Sequence, residues 1–173
     1  MKRKFCTQQG GFTLIELMIT VAIAGILIGV GVPSLRNIMI NNRVTSYTND
    51  FMSSLYLARS EAVKRGTRVT MCKSSNGTAC AAGGGWQQGW VIFEDTNADG
   101  AFAANEVIQV HEALSANLTL TGAGATGAYV SFIENGTAQT TGGASQSGTM
   151  TVALSGKTRT ITLSSVGRLS VSY

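Results

Sequence analysis

The hydrophobic pattern divides the chain into an apolar run, an amphipathic segment and a region of short alternating segments. From Phe12 to Val32 the only charged residue is Glu16, and no other side chain is more polar than threonine. A run of about 20 apolar residues is long enough to cross a bilayer as a helix. The pattern therefore predicts a transmembrane helix over residues 12–33.

The apolar positions continue beyond this run at helical spacing. Between residues 34 and 66 they recur every three or four residues, and charged side chains occupy the other side. This apolar set comprises Leu35, Ile38, Met39, Tyr47, Phe51, Met52, Leu55, Ala58 and Ala62. Arg65 and Gly66 supply a cation in the last turn and a glycine after it, which is a common helix end. The pattern predicts an amphipathic helix over residues 34–66 whose apolar face packs on a sheet.

Residues 67–173 consist of short segments rich in β-branched residues, several of which alternate with period two. Glycine, serine, threonine and asparagine fill the intervals between them. Eight strands are predicted, over residues 67–72, 89–93, 106–110, 118–120, 129–132, 150–154, 159–163 and 169–171. The chain is therefore predicted to be an α+β protein, in which a long N-terminal helix packs on an antiparallel β-sheet head.

A short basic segment, residues 2–4, precedes the apolar run, and Gly11 and Phe12 lie at the boundary. An ordinary secretory signal is cleaved after its apolar segment, near small residues. Here a glycine precedes the run, and glycine offers a permissive backbone to a peptidase. The positive-inside rule keeps the basic segment cytoplasmic. Glu16 is the unusual residue, because a charge inside a bilayer costs several kcal/mol and needs a partner or a function.

The basic segment and the run Gly11–Met18 resemble the class III leader of type IV pilins and type II secretion pseudopilins. The resemblance implies that residues 1–11 are a leader, that a prepilin peptidase cleaves after Gly11, and that Phe12 is N-methylated. It also implies that Glu16 faces the free amine at the first residue of a neighbouring subunit. A buried carboxylate paired with an ammonium costs far less than one left alone.

Further along the chain the resemblance narrows. Residues 58–65, 69–72, 86 and 89–95 are similar to the GspH/FimT branch of minor pilins and pseudopilins. Members of this branch are low-abundance subunits at or near the tip of a filament, so a pilin-like fold and a part in assembly are implied. The implied partners are other pilins or pseudopilins, the prepilin peptidase/methyltransferase and an inner-membrane assembly platform.

The resemblance also implies a location. The protein would be a single-pass inner-membrane protein with a cytoplasmic N-terminus and a periplasmic head, before it moves into a pilus or pseudopilus. The preferred function is that of a minor pilin in the assembly or tip of a type IV pilus. Two alternatives stay open: the H-type pseudopilin of a type II secretion system, and a DNA-uptake or adhesive tip protein.

Composition and charge argue against other functional classes, namely nucleic-acid-binding proteins and enzymes. A chain of 173 residues fits one membrane helix and one soluble domain. Its net charge of +4 falls to +1 when the three cations at residues 2–4 are removed, so a general nucleic-acid-binding interpretation weakens. Residues 91–134 hold six acidic residues and no lysine or arginine, whereas residues 135–173 hold three cations and no acid. No nucleotide, catalytic zinc or serine-nucleophile motif is present, so the chain is not expected to be an enzyme.

Of the three cysteines, Cys6 belongs to the predicted leader, and Cys72 and Cys80 remain eight positions apart. In an oxidising compartment two such cysteines usually pair. A zinc site would need four cysteine or histidine ligands, and only His111 could be added. We therefore expect a disulfide between Cys72 and Cys80.

Residues 95–106 match the spacing of a calcium-binding loop. Asp95, Asn97 and Asp99 stand at alternate positions before a glycine, and Glu106 follows. Oxygen ligands at this spacing can surround a hard cation. The flanking segments are predicted strands rather than helices, and a turn whose Asp and Asn side chains bond their own backbone accounts for the same residues. The self-bonded turn is the preferred interpretation, with calcium as the alternative and no other cofactor expected.

The C-terminal region offers a possible DNA-binding site. Some proteins of the GspH/FimT branch bind DNA through a tail motif of the form Gly-Arg-x-Arg, and residues 167–170 lack its second arginine. Lys157, Arg159 and Arg168 could form a small basic patch on neighbouring strands, and attraction to phosphates grows with the number of such contacts. Three cations without an aromatic stacking surface favour an ordinary solvated strand face instead.

Overall fold

The structure is a computed structural model that describes residues 11–115 and 117–172. One long helix, α1 (Leu14–Arg65), is followed by eight strands and two short 3₁₀ turns, Trp86–Gln88 and Ala104–Glu106. The strands are β1 (Val69–Lys73), β2 (Trp90–Glu94), β3 (Val107–His111), β4 (Leu118–Gly124), β5 (Tyr129–Phe132), β6 (Gly148–Leu154), β7 (Lys157–Leu163) and β8 (Leu169–Ser172). Every predicted strand is present, and β4 extends past its predicted end to Gly124.

The two ends of α1 have clear local causes. At the start, the Glu16 backbone N–H donates to Thr13 Oγ1 at 3.3 Å, which satisfies one of the amide groups left free in a first helical turn. At the other end, the Gly66 N–H donates to the Ala62 carbonyl at 3.0 Å. Gly66 has a φ of +68°, a conformation that glycine adopts without steric cost. The predicted end of the helix is confirmed.

The chain forms two compact units, and the second begins at Ile40. In the first unit the described part of α1 exposes its apolar side chains. By length and composition α1 could cross a membrane, and none of its most apolar stretch is buried. Leu35, Ile38 and Met39 are 62%, 53% and 57% exposed. The expectation that these three residues pack on the sheet is wrong, because they continue the exposed apolar run of the first unit.

The second unit contains two antiparallel sheets with strand orders β3-β2-β1-β5 and β4-β6-β7-β8. In the first sheet Met71 of β1 lies opposite Ile92 of β2 and Val130 of β5. In the second sheet β6 pairs with β4 and β7. The predicted antiparallel head is present, but as two sheets and not as the single sheet that was expected. Strand pairing depends on contacts between distant residues, and the alternating pattern within each strand is the same in either arrangement.

The core of the second unit joins α1 to both sheets. Phe51, Leu55, Ala58 and Ala62 of α1 are fully buried, as their spacing predicted. They share a hydrophobic cluster with Val69, Met71, Val130 and Phe132 of the first sheet and Leu118, Leu120, Met150, Val152, Ile161 and Leu163 of the second. The Phe51 ring meets the rings of Trp86 and Trp90 edge-on, at centroid distances of 5.2 and 5.1 Å. The two tryptophans are therefore core residues.

Candidate assembly segment and surface sites

The predicted processing site lies just before α1. Residues 11–13 are outside the helix, and α1 begins at Leu14. A Cβ atom at Gly11 would meet no other atom within 4 Å, and the Phe12 side chain is 83% exposed. The peptide bond between Gly11 and Phe12 is therefore in an open, non-helical segment. An open, non-helical backbone is what a peptidase needs in order to bind beside a bond.

Glu16 lies in the first turn of α1 with an exposed side chain. Among the described residues no ion pair includes it. The positive end of the helix dipole stabilises an acidic side chain here by about 0.3–1 kcal/mol, whereas a carboxylate in the bilayer costs at least about 2.5 kcal/mol. The helix end therefore offsets only part of the cost.

Thr13 contributes to the start of α1, although it was not among the predicted site residues. Its hydroxyl caps the amide of Glu16 three residues later, so the two residues stand at the spacing of a capping box. This signal was available in the sequence, because a threonine followed three positions later by a glutamate marks a helix start. Thr13 fixes where α1 begins and thereby places Glu16 in the first turn.

The disulfide between Cys72 and Cys80 is present, with a Cα–Cα distance of 5.6 Å. The enclosed loop also closes through the backbone, since the Ala81 N–H donates to the Lys73 carbonyl at 2.7 Å. Cys80 packs on a small cluster on β1 and β2, made of Cys72, Val91 and Phe93. The disulfide thus attaches the loop to the face of the first sheet that is turned away from the main core.

Removal of this disulfide is expected to lower the free energy of unfolding by about 2–3 kcal/mol. Without the crosslink the unfolded chain has more conformational entropy, and for a loop of this length that entropy stabilises the unfolded state by about this amount. The change to test is Cys80→Ala, which leaves the buried Cys72 in place. Urea unfolding of the full chain in detergent, followed by tryptophan fluorescence, measures the effect on the second unit. Ser75→Ala, an exposed change in the same loop, is the control. Equal stability of Cys80→Ala and the wild type would contradict the prediction.

The predicted calcium ligands form a turn that bonds to itself. Asp95 is fully buried, and its carboxylate accepts hydrogen bonds from the Gly100 N–H at 3.2 Å and from the Thr70 hydroxyl at 3.0 Å. Asn97 Nδ2 donates to Asp99 Oδ2 at 2.7 Å. These contacts are those of a turn stabilised by its own acidic and amide side chains.

Glu106, the fourth predicted ligand, lies at the end of the second 3₁₀ turn. Within residues 11–115 and 117–172 no group of three or more His, Cys, Asp or Glu side chains is arranged to hold a metal ion. Calcium binding stays a prediction. Calorimetric titration of the full chain with calcium checks it, and the self-bonded turn predicts no heat of binding.

The three predicted DNA-binding cations do not come together in one patch. The Arg159 side chain is turned inward on β7, is 8% exposed, and donates from Nη2 to Asn41 Oδ1 at 3.4 Å. Lys157 begins β7 and Arg168 follows its end. A strand of seven residues spans about 20 Å, which separates the two exposed cations. DNA binding itself stays a prediction.

Gly167, in the tail segment that suggested DNA binding, has a structural role. Its φ is +75°, and a Cβ atom at this position would collide with the carbonyl oxygen of Gly136. The same oxygen accepts a hydrogen bond from Arg59 Nε at 2.9 Å. Arg59 of α1 thus connects the helix to the loop after β5. No local pattern predicts this contact, because its two residues are 77 positions apart.

A group of charged residues connects the end of α1 to β2. Arg65 donates from Nε to Glu61 at 2.7 Å and from Nη1 to Glu94 at 2.8 Å, and the Thr67 hydroxyl donates to Glu94 at 2.7 Å. Hydrogen bonds from Arg65, and then from Lys64, lower the pKa of Glu61 below its ordinary value of 4.5. The Thr67 hydroxyl, and then Arg65, lower the pKa of Glu94 in the same way.

These lowered pKa values predict a loss of stability in acid. A carboxyl whose pKa is lower in the folded state binds protons more weakly there than when unfolded, so its contribution is complete above about pH 4.5 and is lost as the pH falls through the folded pKa. We expect Glu94→Gln to reduce the fall in melting temperature between about pH 5 and pH 3. Glu112→Gln, at an exposed glutamate outside this group, is the control. Identical pH profiles for Glu94→Gln and the wild type would contradict this expectation.

Comparison with known proteins identifies the family. Residues 47–167 match the family described as type II transport protein GspH, and residues 6–32 match the prokaryotic N-terminal methylation motif. The chain belongs to the GspH family, whose members are structural pilin subunits. The methylation motif and the pilin fold imply association with other pilins and processing by a prepilin peptidase. The resemblance to the GspH/FimT branch is confirmed.

The fold is similar to that of the type IV minor pilin FimU from Pseudomonas aeruginosa (strain PAO1), known in two crystal forms. One structure has a TM-score of 0.60 at 23% identity and covers 77% of this chain and 90% of the FimU chain. The other has a TM-score of 0.56 at 23% identity and covers 75% and 92%. The likeness confirms the predicted fold class, with a long N-terminal helix packed on antiparallel sheets.

Proposed function

We propose that this chain is a minor pilin that takes part in the assembly or the tip of a type IV pilus. A prepilin peptidase removes residues 1–11, Phe12 becomes the methylated first residue, and α1 holds the subunit in the inner membrane until it moves into the filament. The observation that carries the proposal is that α1 leaves its most apolar stretch entirely unburied by its own chain. Such a surface requires lipid in one state and neighbouring helices in the other.

The position of Glu16 supports a filament rather than a permanent anchor. A plain membrane anchor gains nothing from a carboxylate in its first turn, since the charge opposes insertion. In a filament the amine of a neighbouring subunit's Phe12 would neutralise it. The pair requires prior cleavage, because only cleavage creates that amine. The requirement ensures that only processed subunits pack stably.

The disulfide fits the orientation that places the second unit in the periplasm, because disulfides persist in oxidising compartments. The cytoplasmic side would then hold only the basic leader, as the positive-inside rule demands. This orientation exposes Cys72 and Cys80 to periplasmic oxidation. Labelling of a single cysteine introduced at exposed Ser75 in intact cells checks the orientation.

The H-type pseudopilin of a type II secretion system is the second candidate. It is favoured by the family match at residues 47–167, which is to a type II transport protein. The pilus assignment is favoured by the fold likeness to a type IV minor pilin. Both machines would use the same leader, α1 and Glu16, so these features do not separate the two candidates.

Deletion of the gene in its native host separates them. We expect the deletion strain to lose surface pili, measured in sheared fractions and by electron microscopy, and to secrete its exoproteins normally. Re-expression of the wild-type chain should restore piliation. Lost secretion with normal piliation would instead support the pseudopilin. Lost transformation with normal piliation and secretion would support a DNA-uptake protein.

A further inference from the structure

One sheet edge of the second unit is open. β3 ends the first sheet, and within the described chain β2 is the only strand that pairs with it. The opposite end of that sheet is covered, because the Gln139 N–H donates to the Ser131 carbonyl of β5 at 3.0 Å. On β3, by contrast, the side chains of Val107 and Val110 are 40% and 44% exposed.

The edges of the second sheet differ from β3. The edge strand β4 lies against the first 3₁₀ turn, where the Leu120 N–H donates to Gln87 Oε1 at 3.0 Å. At the other edge, β8 is only four residues long and directly follows the cationic side chain of Arg168. Short length, a neighbouring charge and a covering segment are the usual ways in which proteins protect sheet edges.

β3 is five residues long, no further strand of the described chain pairs with its outer edge, and the charges beside it, Glu106 and Glu112, are acidic. Its sequence contains no lysine, arginine or proline, and residues 91–134 as a whole contain no lysine or arginine. The one irregularity is a register shift opposite Ile92 and Phe93, so the half from Gln109 to His111 pairs regularly. An antiparallel edge strand directs alternate N–H and C=O groups outward. These groups are available to a further strand.

Cavities lie on both sides of this edge. One of about 340 Å³ lies between α1 and β3 and is lined by Asp50, Ser53, Ser54, Leu57, Gln109 and His111. The other, of about 240 Å³, lies between the disulfide loop and the end of β3 and includes Asn76, Gln88, Val110 and Glu112. A strand added beside β3 would direct successive side chains to opposite faces, and therefore alternately towards these two cavities.

The charges around the edge indicate which kind of partner would bind there. Asp50 borders the first cavity and Glu112 the second, and neither cavity is lined by lysine or arginine. Glu106 directly precedes β3. The ring of His111 is held against Trp90, with centroids 3.9 Å apart and planes 13° apart. The edge thus presents carboxylates at both ends and along one side, which favours a basic partner.

We propose that β3 is a docking site for an extended, basic segment of a partner protein, which adds to the first sheet as a further strand next to Val107–His111. Main-chain hydrogen bonds supply the common part of the affinity, and side chains in the two cavities supply selectivity. Lysine or arginine side chains of the segment lie near Asp50 and Glu112. The site belongs to the second unit and does not depend on whether the filament is a pilus or a pseudopilus.

The test uses the full chain in a neutral detergent and a fluorescent seven-residue peptide of alternating valine and lysine. We expect the peptide to bind with a Kd of about 10–100 μM, and its glutamate counterpart at least about tenfold more weakly. The lysine peptide with every backbone nitrogen methylated should not bind, because it cannot donate hydrogen bonds to a strand. Amide hydrogen exchange should slow on β3 when the lysine peptide is bound.

Val110→Lys and Val166→Lys form the matched pair of variants. Val166 is also exposed, at 61%, but lies in the β7–β8 turn of the other sheet. We expect Val110→Lys to weaken peptide binding at least about tenfold and Val166→Lys to leave it unchanged, with equal melting temperatures.

Four results would overturn the proposal: no binding at about 1 mM peptide, equal binding of the methylated peptide, equal effects of the two variants, or self-association of the chain that Val110→Lys abolishes. The last result would identify a second copy as the occupant. Normal peptide binding in a chain that does not reach the filament would leave the docking site standing and count against the proposed function alone.

Discussion

Replacement of Gly11 by leucine is expected to leave the chain uncleaved, so that the longer form accumulates in the membrane. The change does not disturb the chain itself, because Gly11 precedes α1 and a Cβ atom there meets no atom within 4 Å. Its effect is on the peptidase, which must accommodate the residue on the N-terminal side of the cut bond. A glycine offers no side chain and a permissive backbone, whereas leucine adds four carbon atoms at the cleavage point.

Mass spectrometry of the membrane fraction measures this result, since the proposed mature chain would lack residues 1–11 and carry a methylated Phe12. Gly29→Leu is the matched control. Gly29 also has no atom within 4 Å of a built Cβ, and it lies inside α1, away from the cleavage point. We expect the control to be cleaved and methylated normally. Normal processing of Gly11→Leu would refute the class III leader.

Much of the fold follows from local sequence. The spacing of Phe51, Leu55, Ala58 and Ala62 predicts the face of α1 that is buried, and β-branched segments predict the strands. The spacing does not predict burial at Leu35, Ile38 and Met39, which follow the same helical spacing but are exposed. Periodicity shows which residues share a helix face. It does not show whether lipid, another subunit or the chain's own sheet covers that face.

Features that depend on distant residues were not predictable in this way. The division into two sheets and the edge position of β3 follow from strand order, which no local pattern encodes. The inward position of Arg159 is a different case, because the alternation in β7 places it on the same face as Ile161 and Leu163. The candidate assembly residues could be predicted from the sequence, because Gly11, Phe12 and Glu16 stand within one short motif. The disulfide between Cys72 and Cys80 could also be predicted from the sequence, since only eight positions separate the two residues.

Replacement of Glu16 by leucine is expected to leave cleavage and methylation intact but to reduce incorporation into the filament at least about tenfold, which corresponds to about 1.4 kcal/mol. Leucine is more favourable than glutamate in a bilayer, so the variant should insert at least as well as the wild type. What it loses is the carboxylate that would pair with the amine of a neighbouring Phe12. Incorporation therefore falls although the isolated subunit becomes easier to insert.

The ratio of chain in sheared filaments to chain in membranes, measured by quantitative immunoblotting, checks this expectation. Thr20→Leu is the control, because Thr20 is a polar residue of the same helix whose hydroxyl bonds within its own chain, to the Leu17 carbonyl at 2.9 Å. Its incorporation should be normal. Glu16→Gln separates charge from hydrogen bonding: if the carboxylate pairs with an ammonium, the neutral amide should be impaired nearly as strongly as leucine.

Normal incorporation of Glu16→Leu would contradict the pairing. Because Glu16 would face the amine of a neighbouring subunit, its replacement removes a different contact from the one that the chain's own Phe12 amine would make. Glu16→Leu should therefore reduce incorporation even though its own N-terminus is cleaved and methylated normally.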